Sequence, residues 1–177
     1  MRDTMQIRKG SNADIEKVSA LYDAICGHLE SHTNYCGWRQ GIYPAREDAA
    51  AGIEEQALWV ADIDGRIAGT LILRHTPEEA YALADWGTAL EYSEILVLYT
   101  FAVHPNFLHQ GIGRQMLEFV LDYAAGENMK AVRLDVYEKN TPAIRLYEQM
   151  GFGYVDTVDL GYSAYGLKRF RLYQRML

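Results

Sequence analysis

The chain has 177 residues, enough for one domain with a sizeable core. Its hydrophobic share of 49% and charged share of 23% suit an ordinary globular protein, and a net charge of −7 withholds the basic footprint of a nucleic-acid binder. No apolar run is long enough to span a bilayer, and the opening stretch MRDTMQIRKGSNAD has no apolar segment. The expectation is a cytoplasmic protein with no signal peptide and no membrane attachment. Cys26 and Cys36 show neither a Cys-x-x-Cys spacing nor a nearby histidine pair, so neither a metal site nor a disulfide is expected.

In chain order, MQIRKG is a short strand. A helix follows, capped by Ser11, with Ile15, Val18, Tyr22, Ile25 and Leu29 at helical spacing and Gly27 weakening its last turn. Residues 31–43 keep no period and read as an aromatic, polar loop. Pro44 is expected to open a second helix reaching about Gln56. Two β-rich runs over residues 57–75 join at Asp64-Gly65, a hairpin signal. Residues 76–92 are irregular and aromatic, and a long strand then runs from about Glu94 to Val103.

A helix follows Gly111-Ile112-Gly113, burying Leu117, Val120, Leu121 and Ala124 and ending at Gly126 as its C-cap. AVRLDVY is a strand, Thr141 and Pro142 open a helix that Gly151 stops, and at least two strands complete the chain. Alternation in FRLYQRML puts Arg171 and Arg175 on the solvated face of the last one. With no repeat or linker, residues 1–177 read as a single α/β domain. The order is β-α-α-β-β-β-α-β-α-β-β around a mixed sheet.

The most informative segment is LYTFAVHPNFLHQGIGRQML. A buried strand ends at proline, and a Gly-x-Gly loop opens an amphipathic helix. Glycines permit close backbone approach, and a helix N-terminus offers unpaired N–H groups and a favourable dipole, a combination suited to a pyrophosphate. The donors would be the amides from His109 through Gln110, Gly111, Ile112 and Gly113 to Arg114. A tight strand-to-helix connection is the alternative reading. A Walker loop is excluded, because Arg114-Gln115 follows Gly113, and the dinucleotide fingerprint is excluded by Met116 at its third glycine.

At this point the sequence resembles the GNAT superfamily of N-acetyltransferases. Val103-His104-Pro105 followed by Gly111-Ile112-Gly113 matches its motif A. Asn140, Ala143, Leu146, Tyr147, Glu148, Gly151 and Phe152 match its motif B, in the right order and spacing. The likeness is strong over about residues 96–152. One position departs: motif A's leading Gln/Arg is Leu108, which leaves the pyrophosphate mainly on backbone amides, with Gln110 and Arg114 as helpers.

The resemblance implies a mixed, mostly antiparallel sheet flanked by helices, acetyl-CoA as co-substrate without a metal, and a small-molecule or peptide amine as acceptor. Homodimers are common in the family. It also implies that the main chain of Phe101, Ala102 and Val103 lies along the pantetheine arm, and that Tyr147 stands near the coenzyme sulfur as the acid. Tyr147 also lies on the apolar stripe of its helix, so a core role competes. Asn140 either contacts the pantetheine arm or caps the helix. Lys139, Arg114 and Arg145 are candidates for the coenzyme's phosphates.

The attacking amine must be neutral, at a cost of about 4 kcal/mol at pH 7 for an alkyl ammonium, so a general base is the larger need. The candidates are Glu94, at the start of the long strand, and Asp135, an unusual mid-strand carboxylate that a structural hydrogen bond would equally explain. His104 reads as a loop-fixing residue. Trp38, Tyr43 and Trp86, in irregular segments, either line the acceptor pocket or close the core. A coenzyme-binding sensor or interaction module without catalysis is the competing reading.

Overall fold

The computed structural model describes residues 4–177. The elements expected from sequence appear in the expected order: β1 (Met5–Lys9), α1 (Ile15–Ser31), α2 (Arg46–Glu54), β2 (Leu58–Ile63), β3 (Arg66–Arg74), β4 (Ile95–Val103), α3 (Ile112–Gly126), β5 (Ala131–Tyr137), α4 (Thr141–Gln149), β6 (Gly153–Val158) and β7 (Phe170–Met176). The seven strands form one sheet in the order β1-β2-β3-β4-β5-β7-β6. The α3 crossover makes β4 and β5 parallel. The pairs β1–β2, β2–β3, β5–β7 and β6–β7 are antiparallel, so the sheet is mixed and mostly antiparallel. Contacts group the chain into two compact units. The first takes residues up to Asn34, Trp38–Leu73 and Thr100–Met116; the second takes Tyr35–Gly37, Arg74–Tyr99 and Leu117–Leu177.

In the first unit, α1 buries Val18, Tyr22 and Ile25 of the stripe read from sequence together with Leu21 and Cys26, leaves Ile15 and Leu29 half-buried at its ends, and runs through Gly27 to Ser31. Ser11 caps a short 3-10 turn ahead of α1 rather than the helix itself, and its N–H donates to Asp14 Oδ2 at 2.8 Å. Arg8 grips Asp14 with two bonds, of 2.8 and 3.0 Å, and reaches Asp62 at 2.9 Å. That guanidinium holds the Asp14 carboxyl well below the usual carboxylate range.

The second helix starts later than expected. Ala45 is its N-cap and Arg46 its first residue, because the Asp48 carboxylate takes the Ala45 N–H at 2.7 Å and Pro44 is left outside. The β2–β3 turn has positive φ at Asp64 (52°) and Gly65 (80°), the backbone that a two-residue hairpin requires. Gly69 in β3 has no room for a side chain: a Cβ there would lie 2.5 Å from Met116 Sδ and 2.8 Å from the Ala102 carbonyl oxygen. This close approach seats the first turn of α3 and the end of β4 against β3, beside the glycine loop.

The second unit is built on β5, β7 and β6, with Leu134, Leu172 and Tyr173 buried. The C-terminus of α3 differs from the reading above, since Gly126 stays helical. Asn128, at φ 58°, occupies the left-handed position, with Met129 N–H on the Ala124 carbonyl (2.9 Å) and Asn128 N–H on that of Ala125 (3.0 Å). Gly151 stops α4 as expected, at φ 82°. The irregular segment 76–92 is part of the core. Tyr81 joins Ile95, Val97, Ala131 and Leu172 in one buried cluster, with Trp86, Leu90 and Tyr99 packed against it. Arg171 is not simply solvated either. It lies half-buried beside Tyr173 and Glu148 in a polar depression under α4.

Candidate functional site

The first unit carries the glycine loop. After β4, His104 caps a short turn by accepting the Asn106 N–H on Nδ1 at 3.1 Å, which fixes the entry to the loop as expected for a loop-fixing residue. The backbone then passes through the left-handed region at His109 (φ 61°) and Gly111 (φ 78°) before α3 begins at Ile112. The first bond inside the helix runs from the Gln115 N–H to the Gly111 carbonyl at 3.0 Å. The amides of Gly111, Ile112 and Gly113 therefore precede any intrahelical acceptor. A Cβ on Gly111 would meet nothing nearer than Gln115 Nε2 at 3.9 Å, so space lies open over the loop.

Gln110 braces this loop, its Nε2 donating to the Asn106 carbonyl at 3.0 Å. Leu108 is half-buried, and Arg114 is exposed. An anion set over these amides would meet aligned donors and the positive end of the α3 dipole.

The strand leading to the loop is irregular. Thr100, a β-branched residue, has φ 46°, an outlier for this residue type and the mark of a kink in β4. Its Oγ1 shares a hydrogen bond with the Tyr43 hydroxyl, and Tyr43 meets Trp38 edge-on at 6.0 Å between ring centroids. The loop aromatics Trp38 and Tyr43 are thus tied to the kink. Ala102 is buried, and Phe101 and Val103 are half-buried. Pairing of β4 with β5 covers Ile95–Leu98 against Ala131–Leu134, while both strands run on, to Val103 and Tyr137.

The second unit carries the titratable groups. Asp135 sits mid-strand in β5, and its Oδ2 accepts the Tyr81 hydroxyl at 2.6 Å. Enclosure of the carboxyl pushes its pKa up to about 6; the Tyr81 bond works against that rise and the nearby Glu78 charge adds to it. Tyr147 on α4 is 5% exposed and meets Phe152 edge-on at 5.9 Å. Burial first, then the charges of Asp135 and Cys36, hold its phenol above the ordinary tyrosine range. The fold therefore brings Tyr147, Asp135 and Cys36 within electrostatic reach of one another.

Asn140 does what its cap reading requires, Oδ1 accepting the Ala143 N–H at 3.4 Å, while its NH2 has no partner among the described residues. Lys139 and Arg145 are exposed.

Glu94 goes elsewhere. It lies in a 3-10 turn ahead of β4, not in the strand, and its Oε2 takes the Glu91 N–H at 2.9 Å. Because Ile95 pairs with Ala131, Glu94 lies about five residues, roughly 16 Å, along the strand direction from Asp135. Trp86 is half-buried against the core cluster, its ring under the Arg133 guanidinium at 4.2 Å and its Nε1 donating to the Tyr81 carbonyl at 2.8 Å. Tyr81 and Thr100 were not legible as site residues. Tyr81 falls in a stretch without periodicity, and Thr100 looks like any β-branched residue of a strand. Among the described residues no group of His, Cys, Asp and Glu is placed to hold a metal ion.

The sheet order, the kinked fourth strand and the glycine loop define the class, and comparison with known proteins places the chain within it. The acetyltransferase (GNAT) family matches residues 23–152. This chain belongs to that family. It is 38% identical over 55 residues to the ribosomal protein bS18-alanine N-acetyltransferase of Escherichia coli K12, a match covering 31% of this chain and 37% of the relative. Thus the chain spans little more than a third of that relative. It is 25% identical over 152 residues to the peptidyl-lysine N-acetyltransferase YiaC of the same organism, over 85% of this chain and 84% of the relative. The fold matches yncA, a putative acetyltransferase from Salmonella typhimurium solved with its cofactor acetyl-CoA. The TM-score is 0.68 at 20% identity, over 98% of this chain and 94% of that one.

Proposed function

We propose that the protein transfers the acetyl group of acetyl-CoA to a primary amine of a small molecule or peptide by direct attack. The observation that carries this reading is the glycine loop, whose left-handed residues His109 and Gly111 set open amides at the start of α3. Those donors fit a pyrophosphate. Family membership, the acetyl-CoA held by yncA, and peptide acceptors named for two relatives point the same way.

Acetyl-CoA would supply the thioester to be attacked. By resemblance, the main chain of Phe101, Ala102 and Val103 aligns the pantetheine arm, and an N–H there polarises the thioester carbonyl. By the same resemblance, Asn140 is proposed to contact that arm beside its cap role. Asp135 takes the proton that the amine nitrogen sheds as the C–N bond forms, and its pKa of about 6 keeps it ionised at neutral pH while leaving it a competent base. Tyr147 serves the leaving sulfur. With its phenol above the ordinary range and a thiol near 8.5, full proton transfer runs uphill, so Tyr147 acts chiefly as a hydrogen-bond donor. Trp38 and Tyr43, in the loop tied to the kink of β4, are the proposed acceptor-side aromatics, and a homodimer is the proposed assembly by resemblance.

Calorimetric titration with coenzyme A and acetyl-CoA, followed by a panel of amines and lysine-containing peptides, tests the reading. Micromolar binding and turnover are expected. Binding without transfer to any amine would make the protein a coenzyme-binding module, and no binding at millimolar coenzyme would sink the pyrophosphate site.

A further inference from the structure

We infer that Tyr81 is a positioning residue for Asp135, and that Arg133, which is buried, and Trp86 and Gln174, which are half-buried, form the frame that holds Tyr81. The inference rests on Asp135 being the base of the proposed reaction. Tyr81 is 1% exposed and donates its hydroxyl to Oδ2 of Asp135 at 2.6 Å. Its ring packs on Trp86 at 5.4 Å between centroids, and its carbonyl accepts the Trp86 Nε1–H at 2.8 Å. The Trp86 carbonyl in turn accepts Gln174 Nε2 at 3.1 Å, and Gln174 Oε1 accepts Arg133 Nε at 2.9 Å. The circuit closes where the Arg133 guanidinium lies over the Trp86 ring.

The arrangement does more than fill a core. A phenylalanine at position 81 and an apolar residue at 135 would pack the same space without a buried carboxylate. The register places Asp135 opposite Leu172 on β7, so the neighbouring strand offers its side chain no donor there. Tyr81, from the 76–92 segment, takes one carboxylate oxygen and fixes the plane of the group. Oδ1 then carries the lone pair that receives the substrate proton. The ionisable groups facing Asp135 are Tyr81 and Glu78 of that segment, Tyr99 of β4 and Tyr147 of α4. Of these, Tyr81 bonds the carboxyl, and its bond favours the ionised form. Trp86 is thereby explained as part of the frame.

The experiment compares kcat/KM of Tyr81→Phe with that of the unmodified protein from pH 6 to 9 on one amine. Taking the ratio at each pH cancels the amine's own titration. Loss of a hydrogen bond to a charged group is expected to move the acid limb up by about one to two pH units. The ratio should therefore fall several-fold at pH 6–7 and recover by pH 9. In an Asp135→Asn background, Tyr81→Phe should cost nothing further. An infrared titration of the Asp135 carboxyl, assigned by difference against Asp135→Asn, should show the same upward move without reference to activity.

A ratio independent of pH with an unmoved carboxyl titration would overturn the inference and leave Tyr81 a packing residue. If Asp135→Asn keeps full activity, the base assignment fails instead, and the infrared titration still decides whether Tyr81 controls the carboxyl. Should Tyr81→Phe not fold, Trp86→Phe, which removes the donor to the Tyr81 carbonyl, is expected to shift the limb in the same direction by a smaller amount; no shift there counts against the frame.

Discussion

The hydroxyl of Tyr43, in the loop between α1 and α2, is hydrogen-bonded to Oγ1 of Thr100, the residue of β4 with φ 46°. A β-branched residue in the left-handed region costs of order 1–3 kcal/mol and persists only where its surroundings insist on it. Here the bond ties the loop's aromatic pair to the kink just ahead of Phe101. Removing the hydroxyl with Tyr43→Phe should lower stability by about 1 kcal/mol. It should also raise KM for the acceptor several-fold while leaving coenzyme affinity within twofold. Thermal melting and steady-state kinetics with each substrate varied separately check both halves. A coenzyme defect of the same size as the acceptor defect would place Tyr43 on the other side of the reaction.

The coenzyme loop gives a prediction with opposite signs at two neighbouring positions. At Gly111, φ 78° strains any L side chain, and a Cβ would stand in the open space over the amides. Gly111→Ala should therefore weaken coenzyme binding at least tenfold for a stability loss of about 1 kcal/mol. Leu108→Arg restores the side chain that the family's motif carries and adds a charge-assisted bond. It should tighten binding three- to tenfold, a gain that fades at high salt. Calorimetry on the two variants at low and high salt separates them.

The fold was legible because its signals are local: helical spacing in α1, the Asp64-Gly65 turn, and Gly151 at the end of α4. Boundaries slipped where a particular side chain outranked the general rule. Asp48 moved the start of α2 past Pro44, and Asn128 displaced Gly126 at the end of α3. The glycine loop was legible because motif and chemistry coincide in one stretch. The Tyr81–Asp135 pair was not, since its members are 54 positions apart and meet only through the fold. Glu94 and Asp135 looked equivalent as strand carboxylates. Parallel register separates them, and a turn amide claims one.

Tyr147 is buried and stays protonated across the working pH range, because burial and the Asp135 charge both oppose its ionisation. Tyr147→Phe should lower kcat at least several-fold, leave coenzyme affinity nearly unchanged, and leave any basic limb of the pH–rate profile where it was. Equal activity would return Tyr147 to the apolar stripe it shares with Ala143 and Met150. A basic limb that vanished in the variant would mean that the phenol ionises during turnover, against the electrostatics of its site.

Asp135 should show a trade between stability and activity whose sign depends on pH. An unfolded aspartate loses its proton near pH 4, whereas the folded group holds it until about pH 6. Between those values the folded state binds more protons, so stability falls as pH rises. Above pH 6 the enclosed charge stands as a fixed cost of about 2 kcal/mol, allowing for partial exposure of the residue. Asparagine carries no such charge and still accepts the Tyr81 hydroxyl. Asp135→Asn should thus match the unmodified protein in stability at pH 4, exceed it by about 2 kcal/mol at pH 8, and lose about a hundredfold or more in kcat at pH 7. Denaturant melts at the two pH values, set beside the turnover of the same samples, test the pairing. A variant that is no more stable at pH 8 would mean that solvent, not protein, surrounds the carboxylate, and the elevated pKa on which its proposed role as base depends would go with it.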